Sequence, residues 1–435
     1  MTFRFAAVIS HPIQHYAPIF RELGKVPGMQ VKVFYGCQWG VRQTHDPDFG
    51  CTFAWDVPLL EGYDYQFLPL RREPDKLGFW DVDNPEIARC LSEYSPHAMW
   101  VHGYGHRTCW RAVSWAQRRC AVLHFGDSEL LRPRSLVRRV AKHLVLRYFF
   151  RRCDAFITIG DNNEAYYARY GVPGSKMFRG ACPIDLQRFR QTLAAPDRPS
   201  RGEMRARFGL PADAVVAVFS GKMVPIKRPG DLVEAVGRLR DRGVGLHALF
   251  VGDGPLRSEL EAQVRACRLE NEIRFSGFVN QRDIPLVLEA GDLLAIPSER
   301  DAHPLAVAES MAVGHPIVAS DRVGCVGATD SARPGVNALV YPMGDTRALA
   351  KALEQLVRDG ELRRRMGQAS LELVAGQDVS AAVGAVLRAV GALHHRYKQP
   401  WNEVPEAFFR GLDEKRLAAW EIGCTRPWKS FSGPL

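Results

Sequence analysis

Short apolar runs alternate with longer amphipathic ones along almost the whole chain. This feature limits the fold most, because it is the pattern of strand–helix–strand units that build parallel sheets. In the first half the strand-length runs are Phe5–Ser10, Val31–Tyr35, Ala98–His102, Cys120–Phe125 and Ala155–Ile159. The polar, proline-containing stretch Arg190–Glu203 interrupts the pattern and reads as a linker. A second series follows with Val215–Ser220, Leu246–Val251, Ile273–Phe275, Leu293–Ile296, Ile317–Ala319 and Ala338–Val340. Helices are predicted between them over Pro229–Arg242, Pro255–Ala266, Pro304–Val313 and Thr346–Asp359. At 435 residues the chain exceeds one ordinary core. The expectation is two doubly wound α/β domains, residues 1–195 and 205–395. The aromatic, charged tail (Trp401, Phe408, Phe409, Trp420, Trp428) is expected to return over residues 400–435 as helices on the first domain. Ligands of such sheets bind beyond the carboxyl ends of the strands, so the site is expected in the cleft between the domains.

Composition narrows the function classes. With 46% apolar and 24% charged residues the chain is globular, not largely disordered. No run of uncharged apolar residues is long enough to span a bilayer, and Met1–Ser10 reads as a first strand, not as a signal peptide. Ten cysteines without a Cys-x-x-Cys argue against a zinc knuckle or a disulfide framework, and for the cytoplasm.

The positive charge is concentrated. Residues 101–200 hold 18 Lys and Arg against 7 Asp and Glu, while the rest of the chain holds 40 against 41. Its densest part, Leu130–Cys153, carries Arg132, Arg134, Arg138, Arg139, Lys142, Arg147, Arg151 and Arg152 among apolar residues. A basic amphipathic helix of this kind suits an anionic lipid surface. A core helix with a solvated arginine face has the same pattern. No binding motif accompanies the charge, so nucleic acid is not expected as a partner.

The segment richest in chemistry is Pro297-Ser298-Glu299-Arg300-Asp301-Ala302-His303-Pro304-Leu305-Ala306-Val307-Ala308-Glu309. Pro304 suits a first helical position. The N–H groups near His303, Leu305 and Ala306 would then be free donors for a phosphate. Asp301 and Glu309 would stand on the order of 10 Å apart at about 1.5 Å rise per residue, a spacing that suits two carboxylates gripping the hydroxyls at either end of a sugar nucleotide. Alone, an acid-x7-acid pair is what any exposed helix gives. Three further segments accompany it: Gly221-Lys222 with Lys227 five residues on, Val251-Gly252-Asp253-Gly254-Pro255, and Phe275-Ser276-Gly277-Phe278-Val279. Each places glycine after a strand, where backbone can approach a ligand closely. The two lysines are point charges for phosphate.

Through these segments, over roughly residues 210–345, the chain resembles the retaining glycosyltransferase family 4, whose fold is the GT-B type. That fold is two Rossmann-like doubly wound domains facing a central cleft. A weaker likeness extends to Ile157-Thr158-Ile159-Gly160, Tyr170-Gly171-Val172-Pro173 and Pro183-Ile184-Asp185. The resemblance implies that a nucleoside-diphosphate sugar is the co-substrate, with no metal or other cofactor required. It also implies that Lys222 and Lys227 hold the diphosphate, Glu309 the ribose and Asp301 the donor sugar. Gly221, Gly252, Gly277, Val279, His303, Pro304 and Leu305 would line the donor. Three departures stand out. Asp301 replaces the usual Glu, and Ala302-His303-Pro304 replaces the usual Gly-Phe-Gly. After the fifth N-terminal strand His124 comes too early for the family's histidine, so Asp127 is favoured as the polar group facing the site.

After the first strand, Ser10-His11-Pro12-Ile13-Gln14-His15 replaces a Gly-rich loop. His11, Gln14 and His15, with His102 and Tyr104 after a later strand, are candidate acceptor or sugar contacts. Asp81-Val82-Asp83 only imitates a metal-binding Asp-x-Asp, because no apolar strand precedes it. The expected reaction is glycosyl transfer to an acceptor hydroxyl, with a lipid-linked glycan or a cell-surface polysaccharide precursor as acceptor and the inner face of the plasma membrane as a peripheral location. A soluble small-molecule acceptor, a nucleotide-sugar epimerase or glycan phosphorylase on the same fold, and a binding module without turnover are the alternatives.

Overall fold

The computed structural model describes residues 2–46, 48–70, 74, 76–131, 135–394, 396–397 and 401–412. The N-terminal sheet contains β1 (Phe3–Ile9), β2 (Met29–Tyr35), β5 (Asp64–Phe67), β6 (Ala98–His102), β7 (Ala121–Phe125), β8 (Ala155–Thr158) and β9 (Met177–Arg179). Their order is β5-β2-β1-β6-β7-β8-β9, and every pairing is parallel. Between β2 and β5 lies a small antiparallel hairpin, β3 (Thr44–Asp46) and β4 (Cys51–Phe53). The second sheet contains β10 (Val216–Ser220), β11 (His247–Val251), β12 (Ile273–Gly277), β13 (Leu293–Ile296), β14 (Ile317–Ser320) and β15 (Ala338–Tyr341). Its order is β12-β11-β10-β13-β14-β15, again all parallel.

Parallel strands covered by helices on both faces must be apolar on both faces. In β1, Phe3, Phe5, Ala7 and Ile9 enter one core while Ala6 and Val8 enter another. In β10, Val216 and Val218 are likewise divided from Ala217 and Phe219. Strand order reverses at β1/β6 and at β10/β13, and the carboxyl ends at those two points carry the polar loops of interest.

Three sequence expectations need revision. The helix Val379–His394, expected in the second domain, packs in the N-terminal core, because its apolar residues meet Phe3, Ile19 and Leu23 there. The expected linker is helical at both ends, within Leu186–Ala194 and Arg201–Arg207, and irregular between them. Asp185 caps the first helix through the Arg188 N–H at 2.9 Å, and Ser200 and Glu203 form a capping box on the second. Pro304 is the N-cap of the helix Leu305–Met311, with extended backbone, and not its first residue.

The domains are joined twice at one place. Ile184 N–H donates to the Gln377 carbonyl at 3.4 Å, and Leu186 N–H donates to the Asp378 carboxylate at 3.2 Å. In the tail, Trp401 is buried and donates to the His97 carbonyl at 3.1 Å, while Phe408 stacks on Phe3. Trp420 and Trp428, like Arg132 and Arg134, lie outside the described residues.

Candidate functional site

Three strand ends form the floor on the second domain. Gly221 N–H donates to the Val251 carbonyl at 2.9 Å, and Gly252 N–H to the Gly277 carbonyl at 3.0 Å. Gly252 has φ +125°, and a Cβ there would lie 2.1 Å from the Gly221 carbonyl oxygen. Only glycine permits that approach.

Above this floor is a cavity of about 340 Å³. Lys222, Lys227 and Glu309 line it, together with Gly221, Gly252, Val279, Pro304 and Leu305. Lys227 ends a 3₁₀ turn, Pro225–Lys227, and its ammonium pairs with the Asp301 carboxylate, which is 12% exposed. The two loops are tied at the backbone by Glu299 N–H to the Ile226 carbonyl at 2.9 Å. Asp301 therefore adjoins the cavity through its lysine, and Gly277 through the floor.

Glu309 is buried, and its carboxylate has no hydrogen bond or ion pair among the described residues. Burial pushes its pKa up to about 7, against the pull of Arg188. His303, expected along the donor, lines neither this cavity nor the small pocket beside it; its Nε2 lies 3.4 Å from Ser331 Oγ and 3.9 Å from Asp330 Oδ1. Burial brings His303 down to about 4 and Asp330 up to about 6.

The first domain supplies the opposite wall. Gln14 lines the main cavity, and with His15 it lines a small adjoining pocket that Glu309 and Leu305 share. His11 Nδ1 lies 2.9 Å from Ser10 Oγ, and His102 Nε2 3.2 Å from the Tyr16 hydroxyl. His11 and His102 line neither cavity. Burial, with repulsion among neighbouring imidazoles, lowers His11, His15 and His102 to about 3, so these three rings are neutral at pH 7. Asp127 is exposed after β7, and its charge acts on Tyr16 of its own domain and on His303 across the cleft.

Tyr104 departs from the expectation. Its hydroxyl bonds to Tyr166 and, at 3.1 Å, to Ser128, so it packs against the helices and lines neither cavity. His124 is buried under Phe149 and Phe150, with Nδ1 3.1 Å from the Tyr167 hydroxyl. In Asp81-Val82-Asp83, Asp83 pairs with Arg107 and Arg111. No group of potential metal ligands occurs among the described residues.

Sequence reasoning missed the hairpin. Asp46, Phe49 and Trp55 line the main cavity, although they belong to the first domain. Phe53 stacks on Phe278 with centroids 4.6 Å apart, and Asn280 Nδ2 donates to the Ala54 carbonyl at 2.8 Å. The turn residues Asp46-Pro47-Asp48 and Gly50 between two short runs were the available signal. A second seam was also missed. Asp161 N–H donates to Asp330 Oδ2 at 2.7 Å, and Asn162 Nδ2 donates to the carbonyls of Gly324 and Val326, both at 3.0 Å.

Two parallel-sheet domains facing this cleft define the GT-B fold. Residues 200–372 match the profile of the family described as glycosyl transferases group 1. The curated relatives include the alpha-D-kanosaminyltransferase of Streptomyces kanamyceticus, 30% identical over 44% of this chain and 48% of its own length. The lipopolysaccharide core biosynthesis glycosyltransferase LpsE of Rhizobium meliloti is 32% identical over 40% of this chain and 48% of its own. The 2-deoxystreptamine glucosyltransferase of Streptomyces kanamyceticus is 31% identical over 55% and 61%. The chain thus spans about half the length of the curated relatives it matches. Among solved structures, Anabaena Alr3699/HepE in complex with UDP and glucose superposes with a TM-score of 0.67 at 16% identity, covering 90% of this chain and all of that one. The similarity at that identity is one of fold.

Proposed function

We propose that the protein is a glycosyltransferase that moves a sugar from a nucleoside-diphosphate sugar to an acceptor hydroxyl, with retention at the anomeric carbon. One observation carries the reading: Lys222, Lys227 and a buried Glu309, without a hydrogen-bond partner among the described residues, line one cavity at the carboxyl ends of a parallel sheet. In this reading the lysines offset the charge that grows on the departing diphosphate. Glu309 accepts hydrogen bonds from the ribose hydroxyls. Asp301, beside Lys227, takes the donor sugar, with His303 and the backbone to Leu305 along it. Gly221, Gly252 and Gly277 let the diphosphate approach the backbone, and Val279 meets the base. Asp127, with the neutral side chains of His11, Gln14, His15 and His102, is assigned to the acceptor. The leaving phosphate assists deprotonation of the acceptor on the same face, and the transfer requires no metal or other cofactor. The solved HepE complexes with UDP and with UDP-glucose support a nucleotide sugar as partner.

The acceptor is proposed to be a lipid-linked glycan or polysaccharide precursor, met by a cytoplasmic protein that is peripheral on the inner membrane face. The helix Leu136–Phe150 supports this, because Leu136, Val137 and Leu144 are 71%, 79% and 65% exposed beside Arg138 and Arg139. LpsE, named for lipopolysaccharide core biosynthesis, is consistent with it. No helix among the described residues is long and apolar enough to cross a membrane. A soluble polyol acceptor is the second reading, favoured by relatives named for 2-deoxystreptamine and D-inositol 3-phosphate.

The test is incubation of the purified chain with a panel of UDP-, GDP- and ADP-sugars, with and without lipid-linked or polyol acceptors. Free nucleoside diphosphate and a glycosylated acceptor are expected. Epimerised donor without transfer, or no melting shift with any nucleotide, would overturn the reading.

A further inference from the structure

Lys222, assigned above to the donor's diphosphate, is held by carboxylates from the other domain. Its ammonium lies 3.0 Å from Asp46 and 3.2 Å from Asp48, and 4.9 Å from the centroid of Phe49. A diphosphate that takes Lys222 must take it from Asp46, because both anions need the same ammonium and repel one another. Asp46 is prepared for that loss. Its Oδ1 also accepts the backbone N–H groups of Asp48 at 2.9 Å and Phe49 at 3.1 Å, so the carboxylate stays hydrogen-bonded when the lysine leaves. Asp48 is 64% exposed and returns to water. The hairpin's other contacts with the second domain include two without charge, Phe53 on Phe278 and Asn280 on the Ala54 carbonyl. Exchange therefore needs Lys222 to swing, not the hairpin to undock.

We propose that Asp46 and Asp48 compete with the donor's diphosphate for Lys222, so that donor binding exchanges one anion partner for another. This rests on the donor-site reading above. The exchange weakens the grip on diphosphate and so favours release of the nucleoside-diphosphate product, a step that limits turnover in many enzymes.

The experiment is titration calorimetry of the full chain with UDP, GDP, ADP and inorganic pyrophosphate. The double variant Asp46→Asn/Asp48→Asn is expected to bind pyrophosphate and the preferred nucleoside diphosphate at least fivefold more tightly than the wild type. Asp48→Asn alone, at the exposed position, is expected to give a smaller increase and guards against misfolding of the double variant. In a Lys222→Ala background the same substitutions should change affinity by less than twofold, because the cycle isolates the competition from a general loss of negative charge. Unchanged or weaker binding overturns the proposal, and so does an increase that persists without Lys222. If pyrophosphate shows the Lys222-dependent increase but no nucleoside diphosphate binds, the competition stands and the donor-site reading falls. If neither binds any variant, both fall.

Discussion

Lys227 pairs with Asp301 across the two loops that follow β10 and β13, and this pair joins the proposed phosphate end of the cavity to its proposed sugar end. The lysine's charge is thereby fixed in place before any ligand arrives. Preorganised charge of this kind stabilises a transition state without reorganisation when the bond breaks.

Removing that charge should act on turnover more than on folding. Lys227→Ala is expected to lower kcat by roughly 10²–10³-fold, as loss of a preorganised electrostatic group does elsewhere. Diphosphate release under saturating donor measures it, with the melting temperature as the control.

Glu309 should make donor binding pH-dependent. Its pKa is raised by burial to about 7, and hydrogen bonds from ribose hydroxyls favour the carboxylate. Nucleoside-diphosphate affinity should therefore rise with pH up to about 7 and then level, with proton release on binding below that pH. Calorimetry in two buffers of different ionisation enthalpy counts the protons.

The same shift has a stability consequence of opposite sign. Between the ordinary carboxyl value and about 7 the folded chain retains a proton that the unfolded chain has lost, so stability falls as pH rises through that window. Glu309→Gln should be more stable than the wild type at pH 8, by up to about 3 kcal/mol, with the gain vanishing near pH 4.5. Denaturant unfolding at the two pH values is the measurement, and an equal difference at both would contradict it.

Asp330 holds the second seam between the domains, accepting from the N–H groups of Asp161 and Ser331. Asp330→Ala leaves both donors without that partner and should cost about 1–3 kcal/mol. Small-angle scattering should show a larger radius of gyration as the seam loosens.

On the helix Leu136–Phe150, Val137→Ser/Arg138→Glu/Arg139→Glu should release the chain from anionic vesicles while leaving nucleoside-diphosphate affinity within twofold. Lys142 does not belong in that set, because its ammonium lies over the rings of Tyr104, Tyr166 and Tyr170. Vesicle sedimentation that does not change would remove the membrane proposal.

Much of the architecture was legible because buried parallel strands appear as continuous apolar runs. Every strand expected from such a run is a strand of one of the two sheets, with ends shifted by a residue or two. The candidate donor residues were legible as glycines and lysines placed just after those runs. The hairpin β3–β4 was not, because each strand has three residues and neither alternates. Tyr104 was misread because a polar residue after a strand can face the cleft or the helices, and only its bonds to Tyr166 and Ser128 settle which.

The chain's own pattern determined two parallel sheets, the loops that carry Lys222, Lys227 and Asp301, and the helix that carries Glu309, since hydrophobic periodicity and glycine placement are local properties. Tertiary structure alone decided that Val379–His394 returns to the first domain, and that Asp46 and Asp48 reach across to Lys222. Apolar burial says that a face must be covered but not by what, and a charge finds its partner only after the domains have met.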